Sequence, residues 1–213
     1  TMLAFIFTNY DFKSSNISKD FKKIVDNTFN SISVDGDTST SDMVLLFSIK
    51  NHNSSKIKNK LKSVFLKKLE KLMLKLSHLI IKDGEGASKF IEVEVKNAKN
   101  SDEAKLIAKS IINSPLIKTA MAGSDSNWGR VVMAIGKSYA RINPEKISIK
   151  FGNYTVLSKG QKYITKNINK INEYLMNQEI KILVDIGVGV GKSKMWTCDF
   201  TKEYISINAD YRS

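Results

Sequence analysis

Strand and helix patterns alternate along the 213 residues, and this alternation restricts the folds that are open to the chain. In the run KFIEVEVKN, Ile91, Val93 and Val95 alternate with charged residues, as a strand with one buried face requires. Further strands are predicted at residues 1–8, in SISV, and in KISIKF, IKILVDIG, KMWTCDF and YISINAD. Helical patterns lie between them without an internal repeat. This order predicts an α/β fold, a layered sandwich built on a mixed sheet.

Apolar residues at helical spacing predict helices over about 18–29 and about 54–81, and a helical region over roughly 97–140. The second helix combines a lysine-rich face with an apolar face, formed by Ile57, Leu61, Val64, Phe65, Leu69, Leu72, Met73 and Leu76. Asn100 followed by Glu103 resembles a capping box and predicts the start of a helix. We treat residues 1–213 as a single functional unit.

Lysine gives the chain a formal net charge of +13, which raises the question of a nucleic-acid partner. The lysines are spread along the chain, and the sequence shows no evident platform of aromatic and arginine residues for stacking bases. We therefore expect a solvated basic surface and no nucleic-acid partner.

The composition also bears on the compartment. The longest apolar stretches, such as MLAFIF and VVMAI, are far shorter than the roughly 20 residues of a membrane-spanning helix. No secretory leader pattern is visible. Cys198 is the single cysteine, which excludes an internal disulfide and suits a reducing compartment. We expect a cytoplasmic protein with no membrane partner.

The run DIGVGVGKSK is similar to a phosphate-binding loop but lacks its spacing. A P-loop needs its first glycine five positions before the Gly-Lys pair, and Ile186 occupies that position. Gly187, Gly189 and Gly191 alternate strictly, which does not fit the dinucleotide fingerprint either. We predict a glycine-rich turn that joins two strands.

Other kinds of site have little support in the sequence. A thiol enzyme would need Cys198 near His52 or His78, and neither histidine is in an obvious position, although the sequence does not exclude it. One cysteine and two isolated histidines lack the spacing of a zinc site. The acidic run around Asp35 departs from the calcium-loop pattern. We expect no metal ion.

Thr1 stands at the head of the apolar run MLAFIF. A threonine hydroxyl is a poor nucleophile unless a base stands beside it, and the α-amine of the same residue can be that base. The simpler interpretation is an ordinary strand end, exposed by removal of an initiator methionine. From these residues alone the strand end is favoured.

Five stretches together change this interpretation. TMLAFIFT, SVDGDTSTSD, DGEGASKF, AGSDSNWGR and WTCDFTKEYISINADYRS run from the first residue to the last. As a set they resemble the β chain of the ornithine acetyltransferase family of arginine biosynthesis. The resemblance implies an N-terminal-nucleophile-like fold and a precursor that cleaves itself just before Thr1.

The resemblance implies an activity and four site residues. The family transfers an acetyl group from N-acetyl-L-ornithine to L-glutamate, and Thr1 matches its nucleophile, which forms an acetyl-threonine intermediate. Glu85 matches a substrate-binding residue able to hold an ammonium group. Asn208 and Ser213 match the ligands for the amino-acid end of the substrate. The family usually ends in threonine, so Ser213 keeps the hydroxyl and loses a methyl group.

The resemblance also implies a partner, an α chain from the same precursor that supplies the oxyanion hole, and an α2β2 heterotetramer. It implies no cofactor, although some members accept acetyl-coenzyme A as donor. Two other classes stay open: a related N-terminal-nucleophile amidohydrolase or aminopeptidase, in which water resolves the acyl-enzyme, and a non-catalytic basic binding domain.

Overall fold

The computed structural model describes residues 1–11, 17–49, 59–163 and 168–211. The helices in these ranges are α1 (Ser18–Asn27), α2 (Asn59–Lys82), α3 (Ser101–Ile112), α4 (Pro115–Ala122), α5 (Trp128–Gly136), α6 (Ile168–Leu175) and α7 (Lys202–Asp210). The strands are β1 (Leu3–Thr8), β2 (Ile32–Ser33), β3 (Met43–Ser48), β4 (Phe90–Ala98), β5 (Ser148–Phe151), β6 (Tyr154–Ser158), β7 (Gln161–Lys162), β8 (Glu179–Asp185) and β9 (Gly191–Cys198). The chain divides into two units, Thr1–Asn30 with Asp37–His78 and Ser31–Gly36 with Leu79–Ser213.

The first unit contains a pair of parallel strands. β1 and β3 run side by side in register, with Leu3 opposite Met43 at one end of the pair. Beyond the strand, the ring of Tyr10 stacks on Phe65 of α2, with 4.2 Å between ring centroids. The strand predicted at residues 1–8 is confirmed, whereas β3 was not predicted.

The second unit contains a seven-stranded sheet in the order β2-β9-β4-β8-β5-β6-β7. β4 is parallel to β8 on one side and antiparallel to β9 on the other, so the sheet is mixed. The prediction of an α/β fold with a mixed sheet is therefore confirmed. Helices α3, α4 and α5 lie in the stretch where the sequence predicts a helical region.

In strand β4, the alternation of apolar and charged residues corresponds to one buried face. Ile91, Val93 and Val95 are fully buried, in one cluster with Ile107 and Ile111 of α3. Burying side chains of this size stabilises the fold by about 1.5 to 3 kcal/mol each. The other members of the helical face that enter this core are Ala104, Ala108 and Ile112. The alternation read from the sequence thus predicts correctly which face of β4 is buried.

The opposite face of β4 carries Glu92 and Glu94. Lys181 of β8 lies 3.1 Å from Glu92 and 2.8 Å from Glu94, and Lys194 of β9 lies 3.3 and 3.8 Å from the same carboxylates. Partial burial works against ionisation, but the hydrogen bonds and charges of the lysines outweigh it and lower the pKa of both carboxyl groups. The polar half of the alternation is therefore satisfied by ion pairs across three strands.

The glycine-rich run forms the connection between β8 and β9. Because β4 lies between these strands, the connection has to cross the end of β4. A Cβ atom on Gly191 would lie 2.1 Å from the carbonyl oxygen of Asn100, and one on Gly189 would lie 2.5 Å from that of Ala98. The predicted turn between two strands is confirmed, and its glycines are explained by this close backbone crossing.

The strand predicted in YISINAD is wrong, because these residues belong to helix α7. Thr201 precedes the helix in an extended conformation, and its hydroxyl accepts a hydrogen bond from the backbone N–H of Glu203 at 3.2 Å. Ile205 and Ile207 suggested a strand by composition, but both are exposed. The cap outweighs the strand preference of these β-branched residues.

Two other boundaries differ from expectation. The helix expected at 18–29 ends at Asn27 and is followed by a 3₁₀ turn at Phe29–Ser31. The helix expected at 54–81 is α2, and its expected start, with Ile57, lies outside the described residues. Helix α6 interrupts the C-terminal third, for which the sequence predicted mainly strands.

Replacing Gly191 with alanine tests the backbone crossing. The added methyl group would overlap the carbonyl of Asn100, so we expect the free energy of unfolding to fall by about 3 kcal/mol, the upper end of overpacking effects. Gly136→Ala is the matched control, since a Cβ atom there meets nothing within 4 Å. Urea unfolding followed by circular dichroism measures both variants. Equal urea midpoints for the two variants would contradict the conclusion that the backbone crossing requires glycine at position 191.

Candidate active site

Thr1 is exposed and lies two residues before the start of β1 at Leu3. The backbone on its C-terminal side is held firmly. The N–H of Met2 donates to Oδ1 of Asp42 at 2.8 Å, and the carbonyl of Met2 accepts from the N–H of Met43 at 2.8 Å. The paired strands therefore fix the backbone one residue from Thr1 and leave its hydroxyl and amine accessible.

Glu85 lies in the second unit, in the turn between α2 and β4. This turn passes close to the start of α7. Gly86 has a φ of +62°, and a Cβ atom there would lie 2.5 Å from the backbone nitrogen of Tyr204. Thr201 donates its hydroxyl hydrogen to the carbonyl of Gly86 at 2.7 Å. The glycine next to Glu85 is thus required for the contact with α7.

Asn208 lies on α7 and contacts Glu85 directly. Its Nδ2 donates to Oε2 of Glu85 at 2.6 Å and to the carbonyl of Tyr204 at 3.0 Å. Both side chains are exposed. The structure therefore brings together two of the residues singled out by the resemblance. Thr1 belongs to the first unit, and Ser213 lies outside the described residues.

The arrangement of Glu85 and Asn208 suits an amino-acid ligand. A carboxylate accepts hydrogen bonds from an ammonium group, and a side-chain amide both donates and accepts. An amino acid carries both an ammonium group and a carboxylate. The pair can therefore recognise both groups of such a ligand.

Sequence reasoning missed Asp199, which directly follows β9. Its carboxylate is 1% exposed and accepts three hydrogen bonds from the end of the Glu85 turn. The donors are the N–H of Ser88 at 2.8 Å, the hydroxyl of Ser88 at 2.5 Å and the N–H of Lys89 at 2.8 Å. A buried carboxylate is expected to have several hydrogen-bond donors. In the sequence, however, these donors lie more than 100 positions from Asp199, and no local pattern connects them with it.

Lys118 of α4 was also missed. It is 1% exposed, and its Nζ donates to Oγ1 of Thr197 at 2.6 Å and to the carbonyl of Cys198. The same Nζ lies 4.4 Å from the centroid of the Phe200 ring. Burial lowers the pKa of this ammonium, and the neighbouring Cys198, Asp199 and Asp35 oppose that shift. The lysine thus holds the end of β9 from which Asp199 extends.

The structure gives no support to a thiol enzyme. Cys198 is a free thiol, 1% exposed, and burial raises its pKa. Reactive cysteines need the opposite, a lowered pKa and access to solvent. His52 lies outside the described residues, and His78 lies in α2. Cys198 is therefore a packing residue and a neighbour of Lys118.

The acidic run around Asp35 is used in hydrogen bonds. Asp35 accepts from the hydroxyl of Tyr204 at 3.2 Å, and Asp42 accepts from the backbone of Met2. Within the described ranges, no group of three or more histidine, cysteine and acidic side chains is placed to hold a metal ion. In the same ranges, none of the helices has the length and apolar character to cross a bilayer.

Comparison with known proteins identifies the family. The model of the ArgJ family matches residues 1–213. The arginine biosynthesis bifunctional protein ArgJ of Brucella suis is 43% identical over 219 residues, which cover 100% of this chain and 53% of that protein. The protein of the same name from Ruegeria pomeroyi is 45% identical over 215 residues, which cover 100% and 52%.

A solved structure agrees with this match. The crystal structure of the arginine biosynthesis bifunctional protein ArgJ from Bacillus halodurans aligns with a TM-score of 0.93 at 38% identity, covering 99% of this chain and 100% of that chain. The chain spans about half the length of the curated relatives that it matches. On the match over its whole length, the chain belongs to the ArgJ family.

Proposed function

We propose that this chain is the catalytic part of an acetyltransferase of arginine biosynthesis, which moves an acetyl group from N-acetyl-L-ornithine to L-glutamate. The observation that carries the proposal is the similarity of all 213 residues to the ArgJ family and to bifunctional ArgJ proteins. The substrates come from the family resemblance of five stretches, which include Thr1, Glu85 and Asn208.

Thr1 is the nucleophile in this proposal. Its hydroxyl oxygen attacks the acetyl carbonyl of N-acetyl-ornithine, and its own α-amine takes the hydroxyl proton. The amide bond then breaks, ornithine leaves with that proton on its amine, and the acetyl group stays on Thr1 as an ester. In the second half, the neutral amine of glutamate attacks the ester carbonyl and the bond between the acetyl carbon and the oxygen of Thr1 breaks. The proton lost by the glutamate amine returns to the Thr1 oxygen through the α-amine, and N-acetyl-glutamate leaves. The exposure of Thr1 supports this role, because both substrates have to reach it.

Glu85 and Asn208 bind the substrate, and Asn208 does so at its amino-acid end. Glu85 pairs with the free ammonium group, which in N-acetyl-ornithine is that of the side chain because the α-nitrogen is acetylated. The amide of Asn208 contacts the carboxylate, with Ser213 as a further ligand. The hydrogen bond of 2.6 Å between Glu85 and Asn208 supports a shared site, since it holds both groups beside each other before a substrate binds. Charge-assisted hydrogen bonds of this kind are about twice as strong as neutral ones.

The partner is an α chain from the same precursor, which supplies the oxyanion hole, and the pairs assemble as an α2β2 heterotetramer. The β1–β3 pair supports a partner. Parallel sheets are nearly always covered on both faces, yet one face of this pair presents large apolar side chains that are 40% to 62% exposed. These are Leu3, Phe5, Phe7, Met43 and Phe47.

Two finer points belong to the same proposal. The compartment is the cytoplasm, which the buried free thiol of Cys198 supports. Acetyl-coenzyme A is a second donor to test beside N-acetyl-ornithine, because the relatives are named bifunctional. If water rather than glutamate resolved the acyl-enzyme, the protein would be an amidohydrolase, and acetate release without glutamate would reveal it.

Replacing Thr1 in the full precursor tests the nucleophile. Thr1→Ala removes the hydroxyl that attacks the preceding carbonyl, so we expect one uncut polypeptide and a loss of acetyl transfer of at least roughly 1,000-fold. Thr1→Ser keeps a hydroxyl and should still be cut, more slowly. Gel electrophoresis and an acetyl-transfer assay measure the two effects. An alanine variant that is cut or transfers acetyl groups at the normal rate would remove Thr1 from the mechanism.

Replacing Glu85 with glutamine tests the substrate site. The change keeps the shape of the side chain and removes its charge, so binding of N-acetyl-ornithine and of glutamate should weaken by about 1 to 3 kcal/mol. KM values for both substrates measure the effect. Glu179→Gln is the matched control, because Glu179 is also exposed and accepts a hydrogen bond of 2.6 Å, from Lys82. Unchanged KM values in Glu85→Gln would show that Glu85 is an ordinary turn residue.

A further inference from the structure

The turn that carries Glu85 is bonded to one continuous segment, residues 199–208, at successive points. Asp199 accepts from Ser88 and Lys89, Thr201 donates to Gly86, and Asn208 donates to Glu85. The contacts therefore follow the turn from its C-terminal end back to Glu85.

Asp199 differs from the other members of this segment because its carboxylate is buried. One oxygen, Oδ1, accepts both backbone N–H groups at 2.8 Å, and the other, Oδ2, accepts the hydroxyl of Ser88 at 2.5 Å. The backbone N–H of Asp199 also donates to the carbonyl of Lys89 at 3.3 Å. The three bonds that the carboxylate accepts are stronger than bonds to a neutral acceptor would be.

The backbone on both sides of this contact is held in place by a lysine. The Nζ of Lys89 donates to the carbonyl of Met121 at 2.6 Å, to Oγ of Ser124 at 2.7 Å and to the carbonyl of Leu175 at 2.8 Å. On the other side, Lys118 holds the carbonyl of Cys198, next to Asp199. The carboxylate therefore joins two backbone segments that are each anchored by a lysine.

We propose that Asp199 is a positioning residue that fixes the Glu85 turn against α7 and so sets the distance between Glu85 and Asn208. Asp199 acts through Glu85 and does not touch the substrate. The inference rests on the proposed function, because it takes Glu85 and Asn208 as substrate ligands. Loss of the carboxylate charge should loosen the turn and weaken substrate binding more than it slows acetyl transfer.

The test uses the complete enzyme with both chains and compares Asp199→Asn with the wild type. We expect KM for N-acetyl-ornithine and glutamate to rise about tenfold, with kcat changed less than about threefold. Hydrogen exchange of a peptide covering residues 84–89 should become faster. Asp102→Asn is the control for loss of an exposed acid, and it should change neither quantity.

A second pair of variants covers the case in which Asp199→Asn does not fold, since the charge of Asp199 also stabilises the ammonium groups of Lys89 and Lys118. Ser88→Ala removes one bond to Asp199 and leaves every charge in place. It should raise KM by a smaller factor in the same direction, and Ser88→Thr, which keeps the hydroxyl, should restore it.

Combination with Glu85→Gln separates this inference from the proposed function. If Asp199 acts through Glu85, the Asp199 effect on KM should largely disappear in the Glu85→Gln background. A fall in kcat with unchanged KM, or unchanged exchange over residues 84–89, would overturn the positioning role. If Glu85→Gln alone leaves KM unchanged while exchange becomes faster in Asp199→Asn, the ligand role of Glu85 is wrong and the structural role of Asp199 stands.

Discussion

The buried ammonium group of Lys118 has to be compensated within the fold, because an unpartnered buried charge is strongly unfavourable. Its partners are Thr197, the carbonyl of Cys198 and the ring of Phe200, all at the C-terminal end of β9. This end of the strand continues into Asp199 and then into α7. The lysine of α4 is therefore coupled, through β9, to the turn that carries Glu85 and to the helix that carries Asn208.

Local sequence patterns predicted the elements that are determined by regular alternation or by contacts between near neighbours in the chain. The burial of one face of β4 follows from strict alternation, and the start of α3 follows from Asn100, whose side chain accepts from the N–H of Glu103 at 2.9 Å. The prediction of a strand in YISINAD was wrong because residues 202–210 form a helix that is capped by Thr201 and lies against the turn at Gly86. The amino-acid composition of the segment does not encode these two contacts.

The candidate site could be predicted only in part. The five resembling stretches singled out Glu85 and Asn208, which are 123 positions apart and form a hydrogen bond. Residue patterns alone would have left Glu85 as a turn carboxylate. The contacts of Asp199 and Lys118 depend on sheet topology, since β4 and β9 are neighbours in space and distant in sequence. Such contacts carry no periodic signal that a single sequence displays.

The proposed function depends most directly on a covalent acetyl-threonine formed at Thr1. The most direct measurement incubates the native two-chain enzyme with N-acetyl-ornithine alone, quenches it rapidly with acid and maps the peptides by mass spectrometry. We expect one added acetyl group on the peptide that begins with Thr1, removed when glutamate is supplied before the quench. Release of ornithine without any acetyl group on that peptide would contradict it.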